Sequence, residues 1–224
     1  MGVIFNQQDY RNPLSLSARF RRARTRHIKE MITEVSALKG ACRIVDLGGR
    51  PDYWDLVGLS FLASHRVTVT TLNLEAQPPA ENPLFDQRVG NACATGFADN
   101  TFDIAHSNSV IEHVGDWENV ELFAAETRRL APRYYVQTPY FWFPYEPHFS
   151  SIGFHWMPES LRARALMRGR HGFQEQTRDI GEAMRSVQHA RLLDRNMMGF
   201  LFPDAELIPE RVLGLTKSLM AIRR

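Results

Sequence analysis

Before Gly40 the apolar residues recur three or four positions apart, and after it they come in short runs separated by polar or helical stretches. The first pattern predicts a helix over 15–38 with Phe20, Ala23, His27, Met31, Val35 and Leu38 on its inner face. The second predicts strands over 43–47 and 66–74, the latter rich in β-branched residues (RVTVTTLNL), then at 87–89, 101–107 and 133–138. Between the last two, Asp116 is placed to cap a helix running to Leu130, with Trp117, Val120, Ala124 and Thr127 inward and Pro132 stopping it. A loop crowded with aromatics spans 140–156, a helix follows from about Pro158, and two strands close the chain at 205–212 and 216–223.

Strands alternating with helices call for a parallel sheet covered on both faces. The link around Gly214 is too short for a crossover helix, so the last two strands should run antiparallel. The expected fold class is α/β: seven strands, mostly parallel, helices on both faces and an antiparallel last strand. The whole of 1–224 is expected to be a single domain, with 1–40 as a helical cap and 140–200 inserted after the fifth strand.

Composition alters this picture little. Lys and Arg number 27 against 25 Asp and Glu, a net +2 that calls for no polyanionic partner. Positive charge is nearly all arginine, with Lys29, Lys39 and Lys217 the only lysines. Arg19, Arg21, Arg22, Arg24 and Arg26 crowd the start of the first helix, where they oppose its dipole. They are read as a solvated face, with weak peripheral contact to an anionic membrane as the other use. Nucleic acid is not favoured as a partner. Cys42 and Cys93 make neither a CxxC pair nor a disulfide framework. The opening MGVIFNQQDYRN lacks a leader pattern and the Ser or Thr of a myristoylation signal, and no apolar run approaches membrane-spanning length. A cytoplasmic setting is expected, with oligomeric state open.

Chemistry enters at VDLGGRPDYW. A strand ending in Asp46 and followed by Gly48 and Gly49 should meet its ligand beyond the carboxyl ends of the strands. The GxGxxG of dinucleotide folds and the GK[ST] of phosphate loops are absent, and no Tyr-x-x-x-Lys pair supports a reductase. An acid at this turn would repel a pyrophosphate. It suits a nucleoside that carries an ammonium and a sulfonium, while the glycines let the backbone approach closely.

On these residues the chain resembles a class I S-adenosylmethionine-dependent methyltransferase of the bacterial group acting on small or medium-sized acceptors. VDLGG resembles the first motif of that family. VGNACATGFADNTFDIAHSNSVIEHV resembles its passage from third to fourth strand, and LFPDAELIPERVLGLTKSLMAIRR its antiparallel end. The resemblance implies a Rossmann-like sheet and S-adenosyl-L-methionine as cofactor. It puts Asp46, Gly48, Gly49 and Arg50 around the methionine part, Asn73 and Glu75 at the ribose, Asn91 and Ala92 at the adenine, and Ser107 and Asn108 under the sulfonium. Arg50 and Asp52 stand where the family has glycines, and Asn73 and Asn91 where it commonly has acids. SNSV after the fourth strand is not the Asn/Asp-Pro-Pro-aromatic sequence of DNA amino-methyltransferases. Some relatives hold a divalent metal with a Glu three residues before a Glu-His pair. Ser109 occupies that position, so no metal is expected.

The acceptor is expected under the loops after strands four and five. In PYFWFPYEPHFSSIGFHWMPE ten side chains are aromatic or His, too apolar to lie loose in water. Tyr145, Glu146, His155 and Trp156 are read as acceptor-binding, and His113 and His148 as catalytic bases because imidazole titrates near neutrality. The expected reaction is in-line transfer of a methyl group to oxygen or nitrogen of a sugar, glycolipid, natural product or aromatic metabolite. The alternative is a cofactor-binding or interaction module of the same fold without transferase activity.

Overall fold

The computed structural model describes residues 16–146, 148–171 and 174–224. The readings made on the opening twelve-residue stretch lie outside the described residues.

Helix α1 (Leu16–Lys39) precedes strand β1 (Cys42–Leu47), a 3-10 turn (Pro51–Leu56), the short α2 (Leu59–Ser64) and β2 (Val67–Asn73). Next come β3 (Phe85–Val89), β4 (Ile104–Asn108), a 3-10 turn (Ile111–His113), α3 (Trp117–Leu130) and β5 (Arg133–Pro139). A two-residue hairpin, β6 (Tyr145–Glu146) with β7 (Ser151–Ile152), leads to α4 (Glu159–Arg168), α5 (Ile180–Gln188) and α6 (Arg195–Leu201). Strands β8 (Glu206–Val212) and β9 (Leu215–Arg223) end the chain.

Seven strands form one sheet in the order β3-β2-β1-β4-β5-β9-β8, with only β9 reversed against its neighbours. The predicted class therefore stands. The β8–β9 link turns through Leu213 and Gly214, both at positive φ (51° and 84°), the pair of left-handed residues that a tight hairpin wants. Reversal of the order at β1 and β4 opens a crevice at their carboxyl ends, where ligands of such sheets sit.

Alternating side chains supply a separate core to each face. Ile44, Val69 and Ile104 face α1, α2 and the first 3-10 turn, with Ile28, Met31, Ile32, Val35 and Trp54 packed on them. Val45, Leu47, Ala105 and Val136 face α3 and α6 through Phe123, Ala124, Met198 and Phe202. Asp116 caps α3 as expected, accepting from the Asn119 amide at 3.0 Å.

The inner face of α1 is rotated from its predicted position. His27, Met31 and Val35 are buried as expected, but Ala23 is exposed and Leu38 is 75% exposed, while Arg24, Thr25, Ile28 and Ile32 turn inward. The cause is polar: Arg24 is buried against Glu210 of β8 at 3.5 Å. An apolar stripe cannot show an inward-facing arginine, and the basic run is not merely a solvated face. The segment between β5 and α6 has a small core of its own, in which Phe149 and Phe154 pack with Ala163 and Leu166 of α4 and Ala183 and Val187 of α5. Among the described residues no helix is long and apolar enough to cross a membrane.

Candidate active site

Parallel register sets the first layer of the site. Asp46 lies opposite His106, and His106 opposite Tyr135, so β1, β4 and β5 put three polar side chains in a row on the α1 face. All three are buried. His106 Nδ1 meets Asp46 Oδ1 at 2.7 Å, and the Trp54 indole N–H donates to Asp46 Oδ2 at 2.8 Å. The His106 ring stacks on Tyr135 with 8° between planes. Both Asp46 oxygens are thus taken by the protein. His106 Nε2, buried and without a hydrogen-bond partner, is left at the edge of a cleft.

The glycine turn wraps this carboxyl group. A Cβ on Gly49 would fall 1.7 Å from Asp46 Oδ2, so no other residue fits there without moving Asp46. Gly48 has φ of 69° and lies so close to Val110 that a Cβ would meet its Cγ1 at 2.6 Å. Asn73 braces the turn from the end of β2, its side-chain amide donating to the Gly49 carbonyl at 2.8 Å. An acid could not make that bond, which gives the amide at this position a physical reason.

Two lobes of one cleft meet at Gly48, Ser109 and His113. The smaller, of about 260 Å³, holds Gly49, Arg50, His106, Asn108 and His148, with Arg21 of α1 at its border. The larger, of about 570 Å³, holds Asn73, Glu75, Asn91, Ala92 and Val110. Ser109, between them, has φ of 58°, a strained left-handed conformation for a non-glycine and one that clusters at ligand sites. Asn108 Oδ1 is buried without a partner. Asn91 turns its carbonyl oxygen back to its own loop, accepting from the Cys93 amide at 2.9 Å. Arg50 pairs with Asp52 at 3.4 Å, so the two residues that replace family glycines neutralise one another.

Ser107 must be corrected. It points to the opposite face of β4, is fully buried, and donates to the Leu47 carbonyl at 3.2 Å, so it lines neither lobe. Strand alternation sends it away from the cleft that its neighbours His106 and Asn108 reach.

Beyond the smaller lobe stands a second polar cluster. His113 Nε2 and His148 Nε2 lie 3.2 Å apart. His148 Nδ1 bonds Glu146 Oε1 at 2.6 Å, and His113 Nδ1 bonds the His189 carbonyl at 3.1 Å. Glu112 is buried beside them. Thr138 donates to its Oε2 at 3.0 Å, whereas its Oε1 has no partner. Burial pushes the Glu112 carboxyl up to about 7, against the pull of its backbone, His148 and Thr138. Burial also lowers His113, with His148 acting in the same direction. At His148 burial works downward too, but the hydrogen bond and charge of Glu146, joined by Glu112, carry the net shift upward. The two histidines each read as a catalytic base are in contact with one another.

The remaining acceptor-loop residues divide. Glu146 and His155 border a third cavity of about 400 Å³ walled by Phe141, Trp142 and Phe149. His155 Nε2 bonds the Phe141 carbonyl at 2.7 Å, leaving Nδ1 buried and unpartnered. Trp156 is corrected to a bracing role: 44% exposed, it donates to that same carbonyl at 3.0 Å and does not line the cavity. Tyr145 lines none of the three spaces.

Sequence reasoning missed His106, Trp54, Thr138 and Arg21. For His106 a signal existed, a polar residue in the buried run of β4, but its partner becomes visible only once register is known. The argument against a metal counted donors near Ser109 alone, and the fold brings in His148 from the aromatic loop.

A crevice at the β1/β4 reversal, a glycine turn packed on a strand-end acid, and a sheet closed by an antiparallel hairpin together make a Rossmann-like α/β fold with its candidate site at the carboxyl ends of the strands. Residues 58–133 match the family described as "Methyltransferase domain". A protein from Pyrococcus horikoshii OT3 has a similar structure, with TM-score 0.50 and 13% identity, covering 96% of this chain and 93% of its own. A Burkholderia thailandensis 1,6-didemethyltoxoflavin-N1-methyltransferase scores 0.48 at 14% identity, covering 96% and 84%. A Methanosarcina mazei SAM-dependent methyltransferase scores 0.46 at 17% identity, covering 81% and 91%. No curated protein sequence matches the chain.

Proposed function

We propose that the chain transfers a methyl group from S-adenosyl-L-methionine to oxygen or nitrogen of a small or medium-sized acceptor, with the cofactor along the two-lobed cleft. The observation that carries this reading is the Gly48–Gly49 turn, where added Cβ atoms would strike Val110 and Asp46, beside two buried acceptor atoms without partners. When bound, the cofactor supplies an electrophilic methyl carbon on a sulfonium.

The chain's own residues would work as follows. With His106 Nδ1–H donating to Asp46, His106 Nε2 carries a lone pair in the neutral ring, and Asn108 Oδ1 is likewise an acceptor. Together they suit the ammonium of the methionine part, so Asp46 acts through His106 and not by contact. Arg21 and Arg50 border the same lobe and suit the carboxylate. Asn73, its amide spent on Gly49, keeps Oδ1 for a ribose hydroxyl. Glu75 lies on the rim nearby, and Asn91 and Ala92 wall the adenine end.

On the acceptor side His113 and His148 would hold the nucleophilic atom in line with the sulfonium. As the acceptor atom is methylated, a ring nitrogen of the pair would accept the proton that this atom gives up. The aromatic cavity beside Glu146 and His155 supplies an apolar wall with few polar groups, which fits a sugar, glycolipid, natural product or aromatic metabolite. The single-domain reading of 1–224, with 1–40 as cap and 140–200 as acceptor side, belongs to this proposal. So does a cytoplasmic setting without nucleic acid, which two buried free cysteines suit.

Calorimetry with S-adenosylmethionine and S-adenosylhomocysteine, then transfer of tritiated methyl to metabolite extracts with mass spectrometry of the product, tests the reading. Sub-millimolar binding and one labelled small molecule are expected. Absence of cofactor binding would sink it, and binding without any labelled product would leave the non-catalytic module.

A further inference from the structure

The His113–His148 contact brings two ring nitrogens together that need a hydrogen or another cation between them. The His189 carbonyl can only accept, so His113 Nδ1 carries the hydrogen and Nε2 of the neutral ring a lone pair. Glu146 Oε1 imposes the same tautomer on His148. With both rings neutral, two lone pairs face each other across 3.2 Å beside buried Glu112, whose Oε1 has no partner. One donor atom from each of the three residues lies within 4.8 Å of the others.

We infer that Glu112, His113 and His148 form a binding site for one divalent first-row transition-metal ion, zinc foremost. Two imidazole nitrogens at about 2.0–2.1 Å from a tetrahedral zinc stand roughly 3.3–3.4 Å apart, close to the spacing already present. Each donor has its other polar atom fixed from behind: His148 by Glu146, His113 by the His189 carbonyl, Glu112 by Thr138. Carboxyl and carbonyl partners behind ligating histidines orient the rings and set their tautomers, and they are the usual company of a metal ion. Two imidazoles with one carboxylate favour zinc, iron, cobalt or nickel over magnesium or calcium.

Three protein ligands leave a fourth position open, as in zinc centres that bind a reactant. Both histidines border the lobe that holds Asn108 and Ser109, so the open position faces the cleft. If methyl transfer is the reaction, an acceptor hydroxyl bound there would lose its proton more readily, and the histidines would serve as ligands in place of a free base. This consequence rests on the methyltransferase reading, whereas the metal site does not.

The test uses the full chain stripped with chelator, without cofactor, titrated with Zn²⁺ by calorimetry and with Co²⁺ by visible absorption. One ion per chain is expected, with ligand-field bands for cobalt. His148→Ala and Glu112→Gln should each weaken binding at least about 100-fold, and Glu146→Gln, which keeps all three ligands, about 10–100-fold. His65→Ala, at the far end of the sheet before β2, should change nothing. Circular dichroism checks that each variant is folded, and Glu146→Gln keeps the test decisive should an inner-ligand variant unfold. No uptake of either ion would overturn the inference, leaving a proton to bridge the two rings. Uptake equally strong in the His148, Glu112 and Glu146 variants would do so as well. Because cofactor is absent, neither failure bears on methyl transfer.

Discussion

Gly49→Ala is the sharpest perturbation of the cleft, because its consequence is fixed by one contact. The new Cβ would lie 1.7 Å from Asp46 Oδ2 and 1.9 Å from its Cγ, well inside any tolerable approach. Asp46 is the end of a short buried side chain with no free rotamer space, since its oxygens are held by Trp54 and His106. Either the turn moves out into the cleft or the carboxyl group swings off its two donors. Leaving a buried donor unsatisfied costs about 1–3 kcal/mol, so losing both puts the destabilisation at about 2–6 kcal/mol. Movement of the turn would in addition break the Asn73 bond to the Gly49 carbonyl.

Urea denaturation of wild type, Gly49→Ala, Asp46→Ala and the double variant measures this directly. Asp46→Ala should itself be destabilising, for it strands the Trp54 and His106 donors. With the carboxyl group gone, however, adding Gly49→Ala should cost less than about 1 kcal/mol. The coupling between the two sites is then at least about 1 kcal/mol, above the few tenths found between independent positions. Cofactor affinity, followed in parallel, should fall in all three variants. Additive effects of the two substitutions, or a Gly49→Ala protein as stable as wild type, would refute the packing argument.

Three further outcomes follow from contacts elsewhere. Asn73→Asp would bring the family's usual acid to the end of β2, yet it should destabilise by about 1–3 kcal/mol and weaken cofactor binding, since an acceptor would then face the Gly49 carbonyl; tighter binding in calorimetry would contradict this. Arg24→Met should cost about 1–3 kcal/mol in urea midpoint, below the usual toll for breaking a buried pair, because Lys217 at 3.7 Å and the Ser218 hydroxyl still serve Glu210; a neutral result would return Arg24 to the solvated face. The Glu126 carboxyl is held down to about 2 by hydrogen bonds from Arg129 and Thr95, so its contribution is present above the ordinary carboxylate range and disappears as pH falls toward 2. Thermal melts of Glu126→Gln should accordingly fall short of wild type by about 1–2 kcal/mol near neutrality, after allowance for screening at a partly exposed pair, and converge with it near pH 2.

Periodicity made the sheet legible because each strand is a short apolar run between turn residues, and because Gly214 forced the last pair antiparallel. Boundaries shifted by a residue or a few, as where β4 begins at Ile104 and the stretch from Thr101 belongs to the approach. The glycine turn was legible too, since few chemistries tolerate an acid followed by two glycines at a strand end. What the sequence withheld depends on register and on long-range closure. His106 reads as one histidine among eight until β1 and β4 are aligned. Arg24 reads as one of five arginines until β8 brings Glu210 beneath it. Ser107 and His106 are adjacent in the chain, yet strand alternation gives one to the core and the other to the cleft.

The aromatic loop shows most clearly why composition alone misassigned roles. Its richness in rings suggested that each polar group among them meets the acceptor. In the fold the apolar residues serve first to anchor the loop: Phe149 and Phe154 pack with centroids 4.6 Å apart over α4 and α5, and the Phe141 carbonyl collects both His155 and Trp156. That anchoring holds the loop's polar residues at a fixed depth. The Phe149 amide donates to Glu146 Oε2 at 2.5 Å while Oε1 of the same carboxylate takes His148. One buried carboxylate thereby ties the loop's own packing to the orientation of an imidazole at the cleft. The hydrophobic cluster and the site chemistry are therefore not alternative readings of these residues: the first is the physical means by which a histidine 35 residues away along the chain arrives within 3.2 Å of His113.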